Sequence, residues 1–198
     1  RLSGQCIPWL WGVFVLAFGV GLVDGLWLAP SDYQQGQAYR IMFVHVPSAM
    51  LSLGVYVLIA SCALVNLVWR IKLADVIASV TAPLGALFAG LALFTGALWG
   101  KPMWGTWWIW DARLTSELIL LFLYFGLIAL RQGIPDHDRA AKACSILALV
   151  GVIDLPIIHY SVYWWNTLHQ QSTLLRLGTP TIASSMLVPL LAMIVAFG

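Results

Sequence analysis

Apolar residues fall in six long runs separated by short polar segments. The runs extend approximately from Pro8 to Leu28, Pro47 to Trp69, Val76 to Trp99, Leu114 to Leu130, Ala143 to Tyr163 and Pro180 to Phe197. A bilayer core is about 30 Å thick and takes about 20 apolar residues to cross as a helix. The pattern therefore predicts an all-α, polytopic membrane protein with six transmembrane helices. Val46-Pro47 and Thr179-Pro180 read as helix starts, with proline at the first helical position, where its missing N–H is not needed. No internal repeat, low-complexity linker or second domain is visible, so residues 1–198 read as one transmembrane domain.

Composition agrees. The chain is 61% hydrophobic and 9% charged, whereas a water-soluble domain carries roughly a quarter charged residues. The net charge is +2, and no basic run is dense enough to bind nucleic acid. The three cysteines, Cys6, Cys62 and Cys144, lie in or beside apolar segments, without a Cys-x-x-Cys pair or a haem-attachment motif, and read as small buried hydrophobes. There is no phosphate-binding loop, so any ATP hydrolysis falls to a partner subunit. The sequence opens on Arg1 rather than Met, which leaves targeting open.

Arg1, Arg70, Lys72, Arg131, Arg139 and Lys142 fall on one side of the predicted spans; Arg40, Lys101, Arg113 and Arg176 fall on the other. The positive-inside bias places the first group, with both termini, in the cytoplasm. The external side then carries three longer aromatic loops, roughly Ala29 to Val46, Gly100 to Arg113 and Trp164 to Gly178.

The middle loop carries the run Trp104-Gly-Thr-Trp107-Trp108-Ile-Trp110-Asp111-Ala-Arg113. In a helix, Trp104, Trp107, Trp108 and Asp111 would share one face, at i, i+3, i+4 and i+7. Such a face could receive a flat ligand; an interfacial aromatic belt is the equally weighted alternative. His45 stands just before the predicted second span. His169 follows Trp164 and Trp165 in the last external loop. Imidazole suits iron, and axial protein ligands hold haem, although a lone interfacial histidine is more often merely hydrogen-bonded. Arg40 and Arg113 could pair with carboxylates through a planar fork of donors, or simply anchor at the interface, the reading kept for Lys101 and Arg176. His137 reads as solvated, and His159 as bonded within the helices.

Asp24 and Asp154 are carboxylates inside predicted spans, where each must face the interior, water or a partner. Without a continuous polar stripe, hydrogen bonding between helices is favoured over a proton relay. Glu117, one turn after Arg113, reads as its i,i+4 partner. Gly21-x-x-x-Gly25 suggests a close helix contact.

The tryptophan run is similar to the WWD signature of bacterial haem-handling proteins, here about residues 99–113. The stretches Met42-Phe-Val-His45-Val-Pro-Ser-Ala and Tyr163-Trp-Trp-Asn-Thr-Leu-His169-Gln resemble the regions that supply that family's external haem-ligand histidines. Six spans with one histidine pair resemble the haem exporter protein C (CcmC) family of System I cytochrome c maturation, over essentially the whole chain. The resemblance implies a non-enzymatic protein of the bacterial inner membrane. It would bind haem b at the periplasmic face and deliver it to the haem chaperone CcmE, beside the ABC-type subunits CcmA and CcmB and the small protein CcmD. It also implies that His45 and His169 are axial iron ligands. Trp104, Trp107, Trp108, Trp110, Asp111, Trp164 and Trp165 would line the site, with Arg40 and Arg113 on the propionates. The alternative is a b-type cytochrome-like electron-transfer subunit with a bis-histidine haem.

Overall fold

The computed structural model describes residues 2–169 and 182–198, with side chains from Gly4 onward. The described residues are helical, with one isolated bridge, Asp32 to Gly36, and no strand. The helices are α1 (Leu2–Val23), α2 (Met42–Trp69), α3 (Lys72–Trp104), α4 (Ala112–Gly133), α5 (His137–Gly151), α6 (Asp154–Trp164) and α7 (Ser184–Phe197). A π-helical turn (Asp24–Leu28) extends α1, and a 3-10 turn (Ala38–Ile41) leads into α2.

Five helical stretches are long and apolar enough to cross a membrane: Gly4–Leu28, Ala38–Trp69, Lys72–Trp104, Ala112–Gly133 and His137–Trp164. The 14 residues of α7 are apolar but shorter; at 1.5 Å per residue they cover about 21 Å. The expected start of that run at Pro180, and Arg176 before it, lie outside the described residues.

Two expected boundaries are corrected. The second helix begins well before Pro47, which lies inside it. The fifth run is two helices, because Pro156 has no N–H to give the carbonyl of Val152 and its ring crowds that carbonyl. Leu155 N–H bonds Val152 instead at 3.1 Å, and α5 ends at Gly151.

The chain divides into two compact units. The first comprises described residues 2–48, 95–107 and 182–198. Its core is Ala29, Tyr39, Met42, Phe43, Leu190 and Met193. The two glycines expected to make a close contact do so: a Cβ on Gly21 would lie 2.6 Å from the Met193 side chain, and one on Gly25 would lie 2.8 Å from the Phe43 ring. The rest of α1 shows its apolar side chains outward, with Trp9 80% exposed, as a lipid-facing helix would.

The second unit comprises residues 49–94 and 108–169. Alanines 82, 86 and 89 of α3 recur on one buried face. Tyr56 of α2 and Tyr124 of α4 fill the centre, their rings edge-on at 5.3 Å. Both rings occupy space that a side chain would otherwise take: Tyr124 fills the place of a Cβ at Gly85, and Tyr56 that at Gly151. In the last turns of α4, Arg131 grips Asp75 of α3 through its two terminal guanidinium nitrogens, Nη2 at 2.6 Å and Nη1 at 3.1 Å. Cys62 is buried and Cys144 half-buried, but Cys6 is exposed on α1, against the expectation for it.

Gly85→Ala and Gly151→Ala should each lower stability by about 1–3 kcal/mol, because a rigid tyrosine ring must move. Gly54→Ala and Gly90→Ala, where a Cβ meets nothing within 4 Å, should change little. Melting of the four variants in detergent checks the contrast.

Candidate functional site

The tryptophan run is not one helix. Helix α3 ends at Trp104, and Gly105 adopts φ +77°, a left-handed conformation that glycine enters without steric cost. Its N–H bonds the carbonyl of Lys101 at 3.1 Å, closing the helix in the manner of a C-terminal glycine. Residues 105–111 are irregular, and α4 starts at Ala112. The single aromatic face expected from the i, i+3, i+4, i+7 spacing is therefore absent, because a left-handed glycine breaks the helical phase after Trp104. In the first unit, the Trp104 ring packs against Gly100, and Trp107 lies with the Lys101 ammonium 5.9 Å from its centroid, 54% exposed. In the second unit, Trp108 and Trp110 meet edge-on at 5.4 Å.

The last residue of the irregular stretch organises the next helix and the far loop together. Asp111 caps α4: its Oδ1 accepts from the Leu114 N–H at 2.8 Å, the usual role of an acidic N-cap. Its Oδ2 accepts from Thr167 Oγ1 and lies 3.2 Å from His169 Nδ1. Thr167 Oγ1 in turn accepts from the His169 N–H at 3.2 Å, so the loop after α6 is pinned to the start of α4. The Asp111 side chain is 7% exposed and that of His169 is 17% exposed.

Electrostatics follows from this enclosure. Burial alone would raise the Asp111 carboxyl. The hydrogen bonds from Thr167 and Leu114, with the attraction and hydrogen bond of His169, outweigh it and hold the group below the usual carboxylate range. Burial pushes the His169 imidazole below its ordinary value; Asp111 opposes this, and Arg113 adds to it. The result is an ionised carboxylate holding a neutral imidazole, the arrangement that commonly orients a metal-ligating histidine.

In the first unit, His45 lies inside α2 rather than in the loop before it, where the sequence placed it. The helix starts early because the 3-10 turn continues into it without a break. Nδ1 of His45 is 3.1 Å from Thr95 Oγ1 of α3, and its ring stands edge-on to Trp99 at 5.8 Å. A Cβ on Gly96 would come within 3.1 Å of the ring. The Trp99 indole N–H donates to Gln35 at 2.9 Å, which fastens the loop before α2 to α3. Each candidate ligand thus has its Nδ1 beside a side-chain oxygen, Thr95 for His45 and Asp111 for His169. Thr95 lies 50 residues from its histidine and gives no local signal in the sequence; Thr167, two residues before His169, is a signal that pattern reading passed over.

The arginines are engaged with backbone. Arg40 donates to the carbonyls of Gly25 and Ala29, closing the π-helical turn after α1, and also to the Gln37 side chain. Arg113 donates from Nη1 to the carbonyl of Ile158 in α6 at 2.6 Å. The expected i,i+4 pairing of Arg113 with Glu117 is not an ion pair within 4 Å among the described residues. Glu117 turns instead to Ser52, whose hydroxyl donates to it at 2.8 Å. Trp164 and Trp165 close α6 with exposed rings, Trp164 stacked on Tyr160 at 5.3 Å. His159 packs against Tyr160. His137, exposed, lies 2.9 Å from Arg131.

Residues 1–198 match the family described as Heme exporter protein C (CcmC). The chain is 53% identical over 197 residues to the Heme exporter protein C of Haemophilus influenzae, covering 100% of this chain and 80% of that protein. It is 55% identical over 173 residues to that of Escherichia coli K12, covering 87% and 71%. A liverwort relative, the putative cytochrome c biosynthesis ccmC-like mitochondrial protein of Marchantia polymorpha, is 44% identical over 197 residues, covering 100% and 82%. With its whole length matched and more than half of the aligned residues identical to those of two bacterial relatives, the chain belongs to the haem exporter protein C (CcmC) family.

Proposed function

We propose that this protein binds haem b at the periplasmic rim of the bacterial inner membrane and delivers it to the haem chaperone CcmE for c-type cytochrome assembly. The observation that carries the reading is the Asp111–His169 pair. A half-buried, neutral imidazole with its Nδ1 fixed by a carboxylate is prepared to ligate iron through Nε2. His45, fixed by Thr95, is the second axial ligand in this reading. All of residues 1–198 act as one haem-handling domain with six spans, both termini cytoplasmic and the WWD segment external. In a chain that crosses six times, the segments holding Arg40, Asp111 and His169 share one side, which the lysine and arginine distribution makes the periplasm.

The remaining side chains have distinct parts. The exposed indoles of Trp107, Trp110, Trp164 and Trp165 supply flat apolar surface for the macrocycle, and Trp104 and Trp108 add to the aromatic lining in this reading. Arg113 spends one of its five N–H groups on Ile158 and presents the rest to a propionate. Arg40, with three of its nitrogens already bonded, shapes the neighbouring turn and approaches a propionate less fully. Haem is cargo here, so the bonds to iron must hold without being permanent, and the chain itself needs no enzymatic step. CcmA and CcmB, with CcmD, supply the ATP-driven part in this scheme.

Purified protein should show a low-spin spectrum with two nitrogen ligands, and either His45→Ala or His169→Ala should weaken or change it. An unaltered spectrum in both variants sinks the reading. Asp111→Asn keeps an N-cap but loses the anionic hold on His169, and Thr95→Val removes the oxygen beside His45. Each should lower haem affinity by roughly 10–100-fold, measured by haem titration.

The acid side carries a signature. His169 takes a proton less readily in the fold than in the unfolded chain, where the imidazole pKa is about 6.5. Folded stability should therefore fall as pH drops below about 6.5, while the contribution of Asp111 persists until pH falls through its lowered value. Melting temperature against pH, compared with His169→Gln, should show the first loss removed in the variant. Trp107→Ala with Trp108→Ala should impair chaperone loading more than membrane insertion; equal loss of both counts against the aromatic assignment.

A further inference from the structure

Polar side chains run deep among the apolar helices of the second unit, although the sequence showed no continuous polar stripe. Helix α4 contributes Arg113, Glu117 and Tyr124, α2 contributes Ser52 and Tyr56, and α6 contributes Asp154. Ser52 joins two of them: its hydroxyl donates to Glu117 at 2.8 Å, and its carbonyl accepts from Tyr124 Oη at 2.6 Å. Arg113 stands one turn before Glu117 on α4 and donates to the carbonyl of Ile158, one turn after Asp154 on α6. The stripe escaped the sequence reading because it is assembled from three helices.

Two atoms in this group are unaccounted for. Tyr56 Oη and Asp154 Oδ2 are buried and have no hydrogen-bond partner among the described residues. Tyr56 is 0% exposed and Asp154 8%. An acid that served only to tie helices together would have its oxygens bonded, since an unmet buried polar atom is destabilising. Asp154 also stands in the first turn after the Pro156-induced break. The helix–helix hydrogen bond expected for it from the sequence is not made among the described residues.

Charge balance gives the group a use. Arg113, which ties α4 to α6 through the carbonyl of Ile158, forms no ion pair within 4 Å with either carboxyl group among the described residues. Keeping an unpaired carboxylate within a membrane span is costly, and a bound proton removes that cost.

We propose that Glu117 and Asp154 form a proton-holding site in the core of the second unit, which exchanges one proton with water as haem binds and leaves. The coupling rests on the haem-binding role proposed above, and Arg113 is its link, because it stands two residues after Asp111, the partner of His169, and one turn before Glu117 on α4. When a propionate draws on the Arg113 charge, the carboxylate beside it loses compensation. That carboxylate then takes a proton from the aqueous buffer: one O–H bond forms, and one buffer acid becomes its conjugate base. Departure of haem reverses the step, and no electron moves. Ser52 holds Glu117 through its hydroxyl and is itself fastened to Tyr124 through its carbonyl.

The test uses the full chain in nanodiscs, weakly buffered, with a pH-indicator dye reporting protons taken up per haem added. The wild type should take up to about one proton per haem, relative to a His169→Ala blank. Glu117→Gln and Asp154→Asn should lose that uptake while keeping the haem spectrum. Unchanged uptake in both variants overturns the proposal. Infrared spectra of haem-free protein give an independent reading should either variant fail to fold. A protonated-carboxyl band that the other variant removes, and that Tyr56→Phe shifts, supports the site, and absence of any such band in the wild type overturns it. Failure of the wild type to bind haem would instead remove the functional reading above, with the infrared result still deciding whether the proton site exists.

Discussion

The carboxylate of Asp111 has two oxygens with different tasks, and much of the candidate site depends on both being performed at once. One oxygen satisfies the first turn of α4; the other receives Thr167 and stands beside His169. Because the cap fixes where the carboxylate points, the histidine loop is referred to the axis of a long apolar helix. A loop tethered only by its own backbone would leave the imidazole free to rotate. In the haem-binding role proposed for it, a ring held in one orientation would have met the entropy of ordering before the ligand arrives.

The same economy of placement appears inside the second unit. Tyrosines 56 and 124 bring aromatic bulk and a hydroxyl to the centre of an otherwise alanine- and leucine-lined core. They fit because Gly85 and Gly151 offer no side chain. The Tyr124 hydroxyl reaches a backbone carbonyl, but the Tyr56 hydroxyl does not. Together with the break before Asp154, this leaves polar capacity in a place where hydrophobic packing alone would have removed it. Stability argues for apolar residues at such positions, so their polarity points to a demand other than packing.

Family membership and local geometry address different questions. Similarity to the haem exporter C proteins covers the full chain and fixes the class. Only the geometry indicates how individual residues are used. Arg40 and Arg113 look equivalent as sequence, but Arg40 is largely committed to the carbonyls that end α1, whereas Arg113, two residues after Asp111 and one turn before Glu117, makes a single backbone hydrogen bond, to Ile158. The tryptophans likewise separate into rings packed beside backbone and rings left outward, a division that their spacing could not give.

The sequence by itself determined the helical class, the approximate extent of the apolar runs and the identity of the chemically capable residues. Hydrophobic length and residue type are local properties that do not depend on neighbours distant in the chain. It misplaced the start of α2 and joined α5 to α6, since proline tolerated in one helix and disruptive in another is decided by which carbonyl its ring crowds. It drew one tryptophan face where Gly105 turns the chain. The pairing of Asp111 with His169, of Thr95 with His45, and of Ser52 with Glu117 spans 50 residues or more in each case. Such contacts are settled by how helices pack, through enclosure and hydrogen-bond satisfaction that no window of sequence contains.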